Sequence, residues 1–149
     1  MSNLLHIEDA LSREGVYVGT TAGTSMWPML RNRRDTIVIK PREGRLSKYD
    51  VPLYRRGDAY VLHRVVEVRS DGYAICGDNC AELEYVEDAR VIGVLVGFYR
   101  GEREVSMQSV GYRAYVCIWV ALYPARRAWK RLRAGAGRAV RRLRGVAHA

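Results

Sequence analysis

The sequence predicts a mainly β protein: an antiparallel coiled sheet or barrel-like core, with a short N-terminal helix and a basic helical tail. Its 149 residues suit a single core, and ten Tyr, three Trp and many Val favour strands. Apolar runs separated by turn residues between positions 16 and 107 are typical of consecutive hairpins. A composition that is 48% hydrophobic and 28% charged excludes collagen-like, disordered and disulfide-scaffold classes.

Each element has its own signal in the sequence. The spacing of apolar residues in 4–11 predicts one face of a short helix that ends at Gly15. Turns are expected at 55–58, at 70–72 and around Gly101, and residues 77–89 are expected to form a polar excursion. The predicted strands cover residues 16–21, 35–41, 51–57, 59–72 (including its final turn), 73–76, 90–100 and 104–107.

The net charge of +9 belongs to one segment of the chain. Residues 1–125 carry equal numbers of acidic and basic side chains, whereas residues 126–149 carry nine basic residues and no acid. After Gly111 the apolar residues recur with a helical period. We therefore expect a β domain over 1–111 and a basic amphipathic helical tail over 112–149.

The tail has three possible roles. Its apolar stretch, residues 114–125, is too short to cross a bilayer, because a spanning helix needs about 20 residues. It could lie on an anionic membrane with Trp119, Tyr123 and Trp129 at headgroup depth, bind nucleic acid, or dock as a solvated helix on its own domain. The neutral body argues against nucleic acid. We expect residues 112–149 to bind an anionic membrane peripherally or to dock reversibly on a partner, and a docked or frayed helix stays open as the alternative.

The cysteines indicate a reducing compartment. Cys76, Cys80 and Cys117 are an odd number, and no secretory signal precedes them. We expect free thiols in a cytoplasmic protein, with peripheral association at the inner membrane face; a Cys76–Cys80 bridge or a redox role is the alternative. There is no second cysteine pair and the histidines are widely separated, so neither a metal nor another cofactor is expected.

Three short motifs could carry chemistry. GTSMWPML (23–30) contains Ser25 in a glycine-containing turn, YVLHRVVEV (60–68) contains His63 in the longest predicted strand, and GDN (77–79) directly follows the strand YAIC. Taken singly, each is common in a turn or a core. Their order along the chain is the informative feature.

In this order the motifs resemble the signal peptidase and LexA-like serine peptidases, over roughly residues 16–100. GTSMWPML resembles their nucleophile box, YVLHRVVEV their base-bearing strand, ICGDN their Gly-Asp-Asn box and RVIGVLVGFYR their closing strand. A histidine at position 63 is similar to the archaeal and endoplasmic-reticulum variants, which use histidine where bacterial enzymes use lysine. The resemblance implies a signal-peptidase-type coiled-sheet core.

The resemblance also implies roles for individual residues. Ser25 would be the nucleophile and His63 the general base, with Asp78 as the carboxylate that orients the imidazole. The acids that could replace Asp78 in that role are Glu82, Glu84 and Asp88.

The expected oxyanion site departs from the family pattern. Many signal peptidases have a serine two residues before the nucleophile, where this sequence has Gly23. The Ser25 N–H, assisted by Thr24, would then bind the oxyanion, and Met26 and Trp27 would line the adjoining pocket.

The resulting expectation is a serine endopeptidase that cleaves an extended, leader- or signal-like segment. The chain shows no N-terminal membrane anchor, which favours trimming of a dedicated peptide, such as the leader of a ribosomally made product, over general signal-peptide removal. Two alternatives stay open: an inactive peptide-binding module of the same fold, and a nucleic-acid-binding protein acting through the basic tail.

Overall fold

The computed structural model describes residues 2–133, with side chains from residue 7 onward. The protein is mainly β, with a curled antiparallel sheet and helices at both ends of the described chain. The elements are α1 (Ser2–Glu14), β1 (Tyr17–Thr20), β2 (Asp35–Lys40), β3 (Pro52–Arg56), β4 (Ala59–Leu62), β5 (Arg64–Val68), β6 (Gly72–Cys76), β7 (Glu84–Glu87), β8 (Val91–Arg100), β9 (Arg103–Val105), α2 (Val110–Ala121) and α3 (123–133).

Two antiparallel sheets make up the body. The larger sheet has the strand order β1-β2-β8-β3-β4, with β9 paired to β8, and the smaller sheet has the order β5-β6-β7. Gly57 and Gly101 adopt positive φ values, which glycine tolerates without a Cβ clash, at the β3–β4 and β8–β9 turns. The predicted fold class and these two hairpins are confirmed, and β1 and β4 are the end strands of the larger sheet.

Two apolar clusters hold the body together. The first lies between the larger sheet, α1 and the 26–30 turn; its centre includes Met29, Ile39 and Phe98. The second joins the two sheets around Tyr54 and Tyr73, both fully buried. Tyr54 therefore connects the core to the region around His63.

The prediction of one continuous strand over residues 59–72 is wrong. Residue 63 interrupts it, so that β4 belongs to the larger sheet and β5 to the smaller one. The uniform apolar pattern conceals the break, because both halves bury valines. The break places His63 at the junction of the two sheets. The expected polar excursion also contains a strand, β7, paired with β6.

The boundary expected between residues 111 and 112 falls inside a helix. α2 begins at Val110, and the Ser109 hydroxyl caps it by accepting the Tyr112 N–H at 3.2 Å. Val116 and Tyr123 are buried against the body. The separate tail predicted over 112–149 is thus corrected for its first part, which packs on the β domain, whereas residues 134–149 lie outside the described residues. Within residues 2–133 no helix has the length and apolar content needed to cross a bilayer.

Candidate active site

A groove with a volume of about 410 Å³ runs between the two end strands of the larger sheet. One wall comes from β1 and the residues after it, and the other from β4. Ser25, His63, Cys80 and Met26 also line the groove. The groove therefore brings two of the three predicted catalytic residues to one surface, and its size is that of an ordinary ligand site.

Ser25 lies on a tight turn that the Gly-Asp-Asn segment holds in place. The Trp27 N–H bonds the Thr24 carbonyl at 3.1 Å, which closes the turn around Ser25. Asn79 donates its backbone N–H to the Ser25 carbonyl at 2.7 Å and its side-chain amide to the Thr24 carbonyl at 3.2 Å. No described residue accepts a hydrogen bond from the Ser25 N–H, so this donor is available to a ligand.

Gly77 lies in close contact with three residues that line the groove. A Cβ at this position would lie 2.6 Å from the Ser25 carbonyl oxygen, 2.7 Å from Cys80 Sγ and 3.0 Å from His63 Nε2. Nε2 therefore lies near Gly77, beside the backbone of the Ser25 turn, and both Ser25 and His63 line the groove. Among residues 2–133, no hydrogen bond joins the Ser25 and His63 side chains; such contacts are often loose before substrate binds.

For a groove that catalyses a reaction, as proposed below, Gly77→Ala should lower kcat/KM by about 100-fold, because displacing a catalytic group by about 1 Å has an effect of that order. The Ser25 carbonyl is backbone and cannot rotate away from the new methyl group, so the turn itself must shift. Steady-state kinetics with Gly97→Ala as the control checks this, since a Cβ at 97 meets no atom within 4 Å. Equal activity in both variants would show that the close approach at Gly77 does not matter.

A hydrogen-bonded chain orients His63 from its other nitrogen. The Tyr54 hydroxyl lies 3.2 Å from His63 Nδ1 and donates to Glu84 Oε2 at 2.6 Å. Because the hydroxyl has one proton and gives it to Glu84, it accepts from Nδ1–H, which assigns the proton to Nδ1. Nε2 is then the unprotonated nitrogen, which is the state that a general base requires.

The protonation of this chain follows from its burial. Burial lowers the pKa of His63 below its usual 6.5, with the charge of Arg56 acting in the same direction and the nearby carboxylates of Glu84 and Asp78 opposing it. Burial, followed by the hydrogen bond to Glu84, raises the pKa of Tyr54. At neutral pH the imidazole is therefore neutral and the phenol keeps its proton.

Asp78 does not contact His63, which corrects its predicted role. Its two carboxylate oxygens accept hydrogen bonds from Arg64 at 2.8 and 2.9 Å, and the Tyr115 hydroxyl donates to it at 2.9 Å. Asp78 and Arg64 are both almost fully buried. Asp78 neutralises a buried arginine, and no hydrogen bond or ion pair joins its carboxylate to His63.

Of the three alternative acids, only Glu84 approaches His63. Its Oε2 lies 3.9 Å from Nδ1, too far for a direct bond, and Tyr54 bridges the gap. Glu82 pairs with Arg127 and Arg131, and Asp88 pairs with Arg42 and Tyr73.

The predicted pocket residues separate into two groups. Met26 is buried and lines the groove, whereas Trp27 is 54% exposed and does not line it. Thr24 contributes its carbonyl to the bonds from Trp27 and Asn79. The resemblance pointed to neither Tyr54 nor Cys80 as a site residue.

The cysteines near the site are free thiols. Cys80 lines the groove, and Cys76 is buried, which raises the pKa of its thiol to about 11. Cys76 donates to the Gly77 and Glu82 carbonyls. Cys76 therefore supports the loop that carries Cys80.

Side chains of the two C-terminal helices form hydrogen bonds with the loop over residues 78–82. Trp119 Nε1 and Arg126 bond the Asp78 carbonyl at 3.0 and 2.6 Å, and the Tyr123 hydroxyl bonds the Ala81 carbonyl at 2.8 Å. Lys130 bonds the Asn79 side-chain oxygen at 2.9 Å. Since Asn79 also holds the Ser25 turn, the inner face of α2 and α3 supports the site through this loop.

Comparison of the chain with protein-family models and with curated protein sequences finds no match. Its functional interpretation therefore depends on the geometry of the groove and on the motifs that line it.

Proposed function

We propose that the protein is a serine endopeptidase with Ser25 as nucleophile and His63 as general base. The observation that carries this proposal is the environment of His63: the Tyr54–Glu84 chain holds the proton on Nδ1, while Nε2 lies near Gly77 beside the Ser25 turn and His63 lines the same groove as Ser25. A histidine that only packs in a core normally has its polar ring atoms bonded there, whereas no described residue forms a hydrogen bond with His63 Nε2.

The groups present suffice for two-step hydrolysis. Ser25 Oγ attacks the scissile carbonyl as His63 Nε2 takes its proton, and the Ser25 N–H stabilises the oxyanion. The imidazolium then protonates the leaving amine, which breaks the C–N bond and leaves an acyl-serine. Water, deprotonated by His63, hydrolyses this ester and regenerates the hydroxyl.

In this mechanism Tyr54 and Glu84 position the base. The charge that develops on His63 is stabilised through the Tyr54 hydroxyl by the Glu84 carboxylate, in place of the direct Asp contact of a standard triad. Asp78 has a structural role, as the partner of Arg64.

The substrate would be an extended peptide that adds a strand in the groove. β1 and β4 are end strands of the larger sheet, and both line the groove beside Ser25. Free backbone groups on an end strand bind a peptide main chain independently of its sequence. The pocket around Met26 is apolar and would take a small or aliphatic side chain next to the cleaved bond.

The direct test is cleavage of a mixed peptide library by the full chain, read out by mass spectrometry. We expect new termini with a shared residue pattern, which Ser25→Ala eliminates. If a folded wild-type protein binds library peptides but cleaves none, the inactive peptide-binding module of the same fold becomes the better description.

Tyr54→Phe is expected to lower kcat by about 10- to 100-fold, because a hydrogen bond to a group that becomes charged contributes about 1.5–3 kcal/mol. Tyr73→Phe is the matched control, since Tyr73 is also fully buried and bonds Asp88, away from the groove. A kcat that falls equally in both variants would mean that loss of a buried hydroxyl, rather than orientation of His63, is responsible.

As the pH is lowered, kcat/KM is expected to stay constant down to pH 6.5 and to fall only below it; we call this fall the acidic limb. Burial lowers the pKa of His63, and only the neutral imidazole is a base. Glu84 opposes this lowering, so Glu84→Gln should move the limb to still lower pH while reducing the plateau. A pH–rate profile of both proteins measures this. A plateau that falls with no movement of the limb would contradict electrostatic coupling between Glu84 and His63.

A further inference from the structure

The two C-terminal helices have an outer face that nothing in the described protein covers. The hydrogen bonds from the Leu122 N–H to Ile118 and from the Arg126 N–H to Leu122 keep the helical pattern across the α2–α3 junction. Positions 118, 122, 129 and 132 are separated by four, seven and three residues, which places them on one side of the helix.

This outer face is apolar. Its four large side chains are strongly exposed: Ile118 59%, Leu122 48%, Trp129 61% and Leu132 69%. We call this set the outer stripe. A docked helix normally directs such residues toward the core, but here the inner face is occupied by the aromatic and cationic side chains that hold the 78–82 loop. A contiguous exposed apolar strip on a folded surface is typical of an interaction site.

The charge next to the outer stripe is positive. Four of the nine tail cations are already engaged by the protein, since Arg126 and Lys130 bond loop oxygens and Arg127 and Arg131 pair with Glu82. Arg133 is exposed one helical turn after Trp129. The sequence that follows contributes four more arginines and no acid: Arg138, Arg141, Arg142 and Arg144.

We propose that the outer stripe is a binding surface for an anionic lipid membrane. Apolar side chains including a tryptophan, next to cations that have no acidic neighbours in sequence, fit the boundary between acyl chains and anionic headgroups. Because the inner face of the same helices is fixed to the β body, the surface belongs to the folded domain and binding holds the whole protein at the membrane.

The combination of an apolar stripe with nearby positive charge favours a membrane over other binding partners. A second copy of the chain would add a second tail of the same positive charge, and like charges repel. Nucleic acid would account for the cations and leave the four apolar side chains in water. Only an anionic lipid surface complements both features.

The test is co-sedimentation of the full chain with vesicles of phosphatidylcholine alone or mixed with phosphatidylglycerol, at low and high salt. We expect binding to the mixed vesicles, weakened by salt, and little binding to phosphatidylcholine. The double variant Trp129→Ser/Leu132→Ser should lower the partition coefficient by about tenfold or more, because two apolar side chains no longer insert.

The matched control is Val68→Ser/Val96→Ser, which removes two exposed apolar side chains from the sheets. It should bind like the wild type. Circular dichroism of each variant checks that the fold is retained, as expected for exposed positions. Wild-type binding by the Trp129/Leu132 variant, or no preference for anionic vesicles, would overturn the proposal. So would a dimer in light scattering that the stripe variant dissociates, since a second copy would then cover the stripe.

Discussion

Removing either member of the Ser25–His63 pair is expected to lower kcat/KM by about 10⁴-fold or more, the order seen when a serine nucleophile or its base is lost. The two groups act in one proton transfer, so the double variant Ser25→Ala/His63→Ala should be no slower than either single variant. Measuring kcat/KM on one cleaved library peptide for the three variants checks both points.

Ser70→Ala is the control for this cycle, because Ser70 is exposed and lies outside the groove. It should keep wild-type activity. If the double variant instead loses as much kcat/KM as the two single variants multiplied together, Ser25 and His63 act in separate steps, contrary to the proposed mechanism.

The second large effect concerns folding. Asp78→Asn is expected to lower the free energy of unfolding by about 3–5 kcal/mol, because it leaves the charge of a buried arginine without its partner. Arg64 is 1% exposed, so water cannot replace the lost carboxylate. Urea denaturation followed by circular dichroism measures the change.

Two further variants check that the unpaired charge of Arg64 causes this loss of stability. Arg64→Met/Asp78→Leu removes both charges and should recover much of the lost stability, as apolar replacements of buried pairs often do. Glu82→Gln breaks an exposed pair with Arg131 and should change stability little. If Asp78→Asn is as stable as the wild type but lowers kcat as strongly as Tyr54→Phe is expected to do, Asp78 orients His63 after all and the Tyr54–Glu84 chain does not.

The sequence is a good guide where a local signal determines the structure. Turn glycines at 57 and 101 and alternating apolar runs predict the hairpins, and the ordered motifs lead to Ser25 and His63, which line the same groove. These features depend on residues close together in the chain, so periodicity and turn chemistry suffice to find them.

The partners of these residues could not be predicted, because they depend on contacts between distant segments. Tyr54 lies in a buried strand, where a tyrosine indicates core packing; only the meeting of β3, residue 63 and β7 gives its hydroxyl a role. Asp78 is near His63 in the motif order, but Arg64 binds it instead, from the strand that begins one residue after the base. The docking of α2 is also absent from local patterns, since both of its faces contain apolar residues.

Labelling with a fluorophosphonate, followed by mass spectrometric mapping of the adduct, tests the catalytic assignment most directly. The reagent forms a stable adduct only with a serine that a base has activated. We expect one adduct, on Ser25, which disappears in His63→Ala and weakens as the pH falls through the pKa of His63. An adduct on another serine, no adduct on the folded protein, or undiminished labelling of Ser25 in His63→Ala would contradict the assignment of Ser25 as nucleophile and His63 as its base.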